Sequence, residues 1–250
     1  MSKQKTKKRL DLLLVEKGIA PSEAKAQAII LTGNVLVNDI PVDKPGTAVS
    51  IEAEIRIRGA ASRFVGRGGD KLQGALEHFK LQLQGVTALD VGASTGGFTD
   101  CLLQHGAARV YAVDVGYNQL DLSLRKDTRV VVLEKTHVRD LTVETFTPPP
   151  TVITVDVSFI SARVVLDSVV AVLPNPAEII VLVKPQFELP RERVAEGGLI
   201  SSIEDQMEAV RLVENHAAKN LGLRSLGSVP SKLRGEKSGN QEYFLLLAKS

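Results

Sequence analysis

Between residues 89 and 99 the chain reads Leu-Asp-Val-Gly-Ala-Ser-Thr-Gly-Gly-Phe-Thr, an apolar run that gives way to a glycine-rich turn and then to a helical pattern. A strand buried on both faces and feeding such a turn restricts the fold to a few α/β designs, in which the turn meets a ligand at the edge of the sheet. Gly92, Gly96 and Gly97 let the backbone turn sharply and approach that ligand where a Cβ would intrude. Further apolar runs follow at Val110–Val115, Val130–Leu133, Val152–Val157 and Ile179–Val183. Helical patterns lie between them at Phe98–Gln104 and Ala162–Leu173, and another, Lys71–Phe79, precedes the first strand at Ala88–Val91. This alternation predicts an α/β fold with a Rossmann-like, doubly wound and mostly parallel sheet. Ser202–Asn220 reads as a long amphipathic helix, and Ser225–Val229 with Tyr243–Leu247 as a closing hairpin whose last strand is antiparallel.

The first sixty residues follow a different grammar. Leu10, Leu13 and Leu14 recur at helical spacing up to Gly18, and Ser22 caps a second helix whose Ala24, Ala28 and Leu31 share a face before Gly33. Val35–Val37 and Ile40–Val42 flank the turn-forming pair Asn38-Asp39, and Val49, Ile51, Ile55 and Ile57 read as one alternating strand. The pattern predicts a small α+β unit over residues 1–58, a linker over 59–64 and the sheet domain over 65–250. Charge divides the same way. Residues 1–67 hold 12 Lys and Arg against 7 Asp and Glu, so a net charge of only +2 for the whole chain conceals a basic front and a mildly acidic remainder. A basic module suits a polyanion, although five of its cations sit in the tail at Lys3, Lys5, Lys7, Lys8 and Arg9, where a solvated extension is the plainer reading.

Three carboxylates qualify what the glycine turn binds. Asp90 immediately precedes it, a poor neighbour for a pyrophosphate but a suitable one for a cationic amino-acid group. Asp114 ends the next strand, where a carboxylate accepts hydrogen bonds from ribose hydroxyls, and Asp140 follows the third strand, within reach of an adenine amino group. Ala93, Ser94 and Phe98 complete the expected cradle. This set argues against a dinucleotide oxidoreductase, which favours a tighter three-glycine fingerprint.

Other classes lack their signatures. The single Cys101 leaves no intramolecular disulfide and reads as a small buried residue, the four His are too scattered for a metal site, and no metal is expected. The apolar runs are too short to span a bilayer and the basic start lacks the apolar core of a secretion signal, so a cytoplasmic protein without a membrane partner is expected.

Ser62-Arg63-Phe64-Val65-Gly66-Arg67-Gly68-Gly69-Asp70-Lys71-Leu72, DVGASTGGFTD at 90–100, VDVGYNQL at 113–120, VDVSFIS at 155–161, VKPQFE at 183–188 and GNQEYFLLL at 239–247 occur in one order along the chain. In these segments the sequence resembles the TlyA (haemolysin A) family of ribosomal RNA 2′-O-methyltransferases, whose catalytic part is FtsJ-like. Residues 9–58 resemble the RNA-binding domain named after ribosomal small-subunit protein S-four. The resemblance implies S-adenosylmethionine as cofactor and ribosomal RNA or assembled ribosomal subunits as partner, with no obligatory protein partner evident. It implies transfer to the ribose 2′-hydroxyl of a cytidine, in one or both subunits.

By motif, the family's Lys-Asp-Lys-Glu tetrad falls on Lys71, Asp156, Lys184 and Glu242, with Lys184 orienting or deprotonating the hydroxyl, Lys71 disfavouring a second ammonium nearby, and Asp156 and Glu242 fixing geometry and field. Arg9, Lys17, Lys25, Arg63 and Arg67 are the expected RNA contacts. Phe159 covers the cofactor, touches the substrate or packs in the core. The haemolysin name raises a cytolysin as the rival, which needs a secretion signal and an amphipathic or apolar insertion segment, neither of them visible in the sequence; a catalytically inert RNA-binding assembly factor is the other.

Overall fold

The computed structural model describes residues 6–38, 40–57, 63–235 and 238–250, and the chain forms two compact units, Met1–Ala61 and Ser62–Ser250. In the first unit a strand β1 (Lys7–Arg9) leads into helix α1 (Leu10–Glu16), followed by α2 (Glu23–Leu31), β2 (Val35–Val37), β3 (Ile40–Val42), β4 (Ala48–Ser50) and β5 (Ile55–Ile57). Antiparallel pairing gives a β1–β4 ribbon and a three-stranded β3–β2–β5 sheet. Part of the basic tail is therefore strand rather than solvated extension. The single strand expected over Val49–Ile57 is two, because the backbone turns at Ser50–Ala53 and Asn38 pairs with Glu54. The inward face of α2 is also different: Ala26 and Ile30 are buried with Leu10, Leu13, Leu14, Val35, Val37 and Val49, whereas Leu31 is exposed. Alanine and isoleucine recur all round this helix, so spacing alone did not single out one face. Asp39 and linker residues 59–62 lie outside the described residues.

The second unit opens with α3 (Arg67–Phe79) and continues β6 (Thr87–Val91), α4 (Gly97–Gln104), β7 (Arg109–Asp114), α5 (Leu122–Lys126), β8 (Val130–Glu134), β9 (Val152–Val155), α6 (Ala162–Ala171), β10 (Ala177–Val183), α7 (Pro185–Glu188), α8 (Ile203–Leu221), β11 (Arg224–Pro230) and β12 (Tyr243–Lys249). The sheet order is β11-β12-β10-β9-β6-β7-β8. Neighbours from β10 to β8 are parallel, and β12 runs antiparallel between β10 and β11. The expected mostly parallel sheet with an antiparallel last strand is what forms. Phe64, assigned to the linker by its sequence position, is instead a core residue of this unit, its ring lying where a side chain on Gly69 would be.

Strand period two sorts the apolar residues onto two faces. Leu89, Val91, Ile153, Val155, Ile179 and Val181 pack against α6 and α8, while Ala88, Ala112, Val152, Ile180, Leu182 and Phe244 face α3 and α4. The chain moves outward from β6 to β8 and then returns to β9 on the other side of β6. The carboxyl ends of β6 and β9 thus flank the reversal of strand order, where an open α/β sheet leaves a crevice. Phe244 is fully buried, with its ring 6.0 Å from Phe98. Phe244→Ala should lower the unfolding free energy by about 3–5 kcal/mol, read by denaturant titration; a loss below about 1 kcal/mol contradicts this packing.

Candidate active site

The glycine turn after β6 is shaped by contact with the rest of the protein. Gly92 has φ +86, and a Cβ there would stand 2.3 Å from the Asp156 carbonyl oxygen. Gly96 has φ +99 and lies against Leu124, and a Cβ on Gly97 would crowd the backbone of Gly66, Gly68 and Gly69 at the start of α3. These glycines make room for the loop after β9, for α5 and for α3. Ser94 and Thr95 are left exposed at the tip of the turn, while Ala93 and Phe98 are buried beneath it. Phe98 is a core residue and not part of a binding surface.

Asp90 also differs from its expected role. It is wholly buried, and its two carboxylate oxygens accept hydrogen bonds from Thr99 Oγ1 at 2.7 Å and Thr154 Oγ1 at 2.9 Å. Both oxygens are engaged behind the turn, so Asp90 braces β6 to α4 and β9 rather than meeting a cationic ligand. Asp114 remains at the crevice: its oxygens accept the backbone N–H groups of Ser94 at 2.8 Å and Gly116 at 2.7 Å, which fix the carboxylate at the end of β7. Asp140 is exposed on a single 3-10 turn beyond β8.

Glu134, which the sequence reading missed, ends β8 and accepts the N–H groups of Asn118, Gln119 and Leu120 together with Arg125. Arg125 foremost, with these N–H groups, holds its carboxyl down at about 2. Its signal was available: acids end β7 and β8 alike.

The tetrad residues come together as two ion pairs. Lys71 Nζ lies 2.6 Å from Glu242 Oε2, and Lys184 Nζ lies 2.6 Å from Asp156 Oδ1 and donates to Ser158 Oγ at 3.0 Å. Topology produces this grouping. Val183 pairs with Tyr243 across β10 and β12, so Lys184 and Glu242 stand one residue beyond that pair on adjacent strands, while Asp156 follows β9 on the other side of β10. Lys71 reaches the same edge from α3, whose first turn packs on the glycine turn. Asp156 Oδ1 is buried and is engaged by the Lys184 ammonium.

Phe159 is 83% exposed, which removes the core-packing alternative, and its φ of +67 is unusual for an aromatic residue. Its ring centroid is 5.5 Å from that of Phe187. On the first unit, Arg9 makes two hydrogen bonds to the buried Asp11, whose carboxyl they hold down at about 2, so this guanidinium is oriented by a neutralising partner. Lys17 and Lys25 are exposed. On the second unit, Arg63 lies over the Phe64 ring and its carbonyl accepts Gln104, and Arg67 is the first residue of α3.

Residues 64–249 match the FtsJ-like methyltransferase family, and residues 8–55 match the S4 domain. The chain belongs to the FtsJ-like methyltransferases. It is 44% identical over 240 residues to the 16S/23S rRNA (cytidine-2′-O)-methyltransferase TlyA of Mycobacterium tuberculosis, covering 96% of this chain and 89% of that one. It is 39% identical over 239 residues to Hemolysin A of Brachyspira hyodysenteriae, covering 94% and 98%. A solved structure from Streptococcus thermophilus, described as a candidate hemolysin, has a TM-score of 0.76 and 36% identity, covering 98% of this chain and 90% of that one. Among the described residues no helix is long and apolar enough to cross a membrane.

Burial pushes the Asp90 carboxyl up to about 6, opposed by its two threonine hydrogen bonds. Because the folded value lies above the unfolded one, its contribution to stability is full below about pH 4 and is lost as pH rises through about 6. The unfolding free energy of the protein minus that of Asp90→Asn should fall by up to about 3 kcal/mol between pH 4 and pH 7; a difference that stays flat, or rises, contradicts the buried carboxylate.

Proposed function

We propose that this FtsJ-like methyltransferase uses S-adenosylmethionine to methylate the ribose 2′-hydroxyl of a cytidine in ribosomal RNA, with residues 1–58 as its RNA-holding unit. The observation that carries the reading is the pair of Lys–carboxylate contacts, Lys71–Glu242 and Lys184–Asp156, at the sheet edge beside the glycine turn. Asp114 is the residue that would hold the cofactor's ribose, with the backbone of Ala93 and Ser94 beside it; Asp140 would meet the adenine. The donor set fits: a fixed carboxylate suits vicinal hydroxyls. When bound, S-adenosylmethionine supplies an electrophilic sulfonium methyl group.

The difficulty of the reaction lies with the acceptor, since a ribose hydroxyl is a weak nucleophile until its proton is drawn away. Lys184 and Asp156 provide a charged pair around the position where that proton must go. The Asp156 carboxylate draws the proton from the hydroxyl, and Lys184 Nζ, anchored on Asp156 and Ser158, stabilises the oxygen as charge develops on it. Lys71 and Glu242 form a second, more deeply buried pair that fixes the other wall. Positioning against the methyl group supplies a large share of the rate. Phe159 offers an exposed ring on which the acceptor's base can stack. An assembly factor without activity gives no reason for two ion pairs at this crevice, and the hemolysin relative's name is matched by no membrane-crossing helix among the described residues.

Lys184→Ala should reduce methyl transfer to ribosomal RNA at least a thousandfold while S-adenosylmethionine affinity, measured by calorimetry, stays within about threefold. Turnover undiminished by the substitution would remove Lys184 from the reaction.

A further inference from the structure

Two loops at the carboxyl edge of the sheet carry the reacting side chains. One, residues 156–161 after β9, holds Asp156, Ser158 and Phe159; the other is Lys184 with the single turn α7 after β10. A four-residue helix has little stability of its own, because nucleating a turn costs more than its few hydrogen bonds return. Something else must keep α7 in place.

That constraint comes from its last residue. Glu188 is only 4% exposed, and its carboxylate accepts Ser161 Oγ at 2.6 Å, the Ala162 N–H at 2.6 Å and Arg163 Nε at 3.2 Å. Arg163 also donates from Nη2 to the Glu188 carbonyl at 3.1 Å. The same carboxylate therefore closes the loop after β9, caps the start of α6 and fixes α7. On the opposite side, Asn240 Nδ2 donates to Gln186 Oε1 at 2.9 Å and to the Gly198 carbonyl at 2.8 Å, two residues before Glu242. The turn that follows Lys184 is thus fastened both to the Asp156 loop and to the segment leading into Glu242.

The position of Phe159 points the same way. An aromatic residue in left-handed backbone costs about 1–2 kcal/mol and persists only where its surroundings impose it. Phe159 is almost fully solvated, so its own burial does not impose that conformation. Two residues later Ser161 is locked by Glu188, and the Phe187 ring beside Phe159 belongs to the turn that Glu188 ends.

We propose that Glu188 is a positioning residue for methyl transfer: through Ser161, Ala162 and Arg163 it sets the spacing of Lys184 from Asp156 and the placement of Phe159. The inference rests on the proposed function. It separates from a purely structural role because it acts on the rate of the bound complex rather than on the amount of folded enzyme or on cofactor affinity.

The test measures single-turnover methylation of ribosomal RNA at saturating RNA and S-adenosylmethionine, with rates normalised to sites that bind S-adenosylmethionine. Glu188→Gln keeps the shape but replaces one acceptor oxygen by a donor, and its normalised rate should fall about ten- to a hundredfold, the effect of an ångström-scale misplacement. Its cofactor affinity should stay within about twofold. Ser161→Ala keeps the carboxylate and its bond to Ala162, and should lose about three- to tenfold; it decides the matter if the glutamine variant does not fold. Normalised rates equal to the unsubstituted enzyme, even with a lower Tm, overturn the inference and leave the proposed function standing. An unsubstituted enzyme that methylates no ribose overturns both.

Discussion

The buried carboxylate of Asp90 is the contact on which the arrangement of the site depends. It receives one hydroxyl from Thr99 on α4 and another from Thr154 on β9, so a single side chain ties the strand before the glycine turn to the helix after it and to the neighbouring strand. The turn is then close enough to the loop after β9 that Gly92 has no space for a side chain beside the Asp156 carbonyl. The glycine turn and Asp156 are in this way two sides of one packed joint. Burying an acid here is costly, and the two threonine bonds offset part of that cost.

From this joint the remaining parts follow by strand neighbourhood. β9 places Asp156 and β10 places Lys184 beside it; antiparallel β12 brings Glu242 beside Lys184, and α3 brings Lys71 to Glu242. Four residues spread from position 71 to 242 meet because three strand ends and one helix start share an edge. Each lysine has its own carboxylate, so the site carries charges without a net surplus from these four groups.

Much of this was legible in the sequence, and what was not has identifiable causes. The alternation of apolar runs with helical patterns gave the sheet, and the ends of the runs at Asp156 and Lys184 marked the crevice. The glycines were legible as a turn, but their protein neighbours were not: a sequence shows that a side chain is excluded, and does not show which element excludes it. Asp90 and Phe98 were misplaced for a related reason, because strand parity does not say whether a polar group at a strand end faces solvent or threonine hydroxyls from other elements. Glu188 and Asn240 left no local signal, since their partners at Ser161, Ala162, Gln186 and Gly198 are 26 to 54 residues away. In the first unit, the short sheet was visible, but Val49–Ile57 concealed a turn and α2 showed no single apolar face.

Methyl transfer to a ribose hydroxyl is directly measurable. The protein is incubated with methyl-labelled S-adenosylmethionine and separated small and large ribosomal subunits, and the RNA is hydrolysed in alkali. A 2′-O-methyl group prevents cleavage of the adjoining phosphodiester bond, so label should appear in alkali-resistant dinucleotides that begin with cytidine. Label released as single nucleotides would place the methyl group on a base and contradict the account; the absence of label from both subunits would contradict it as well.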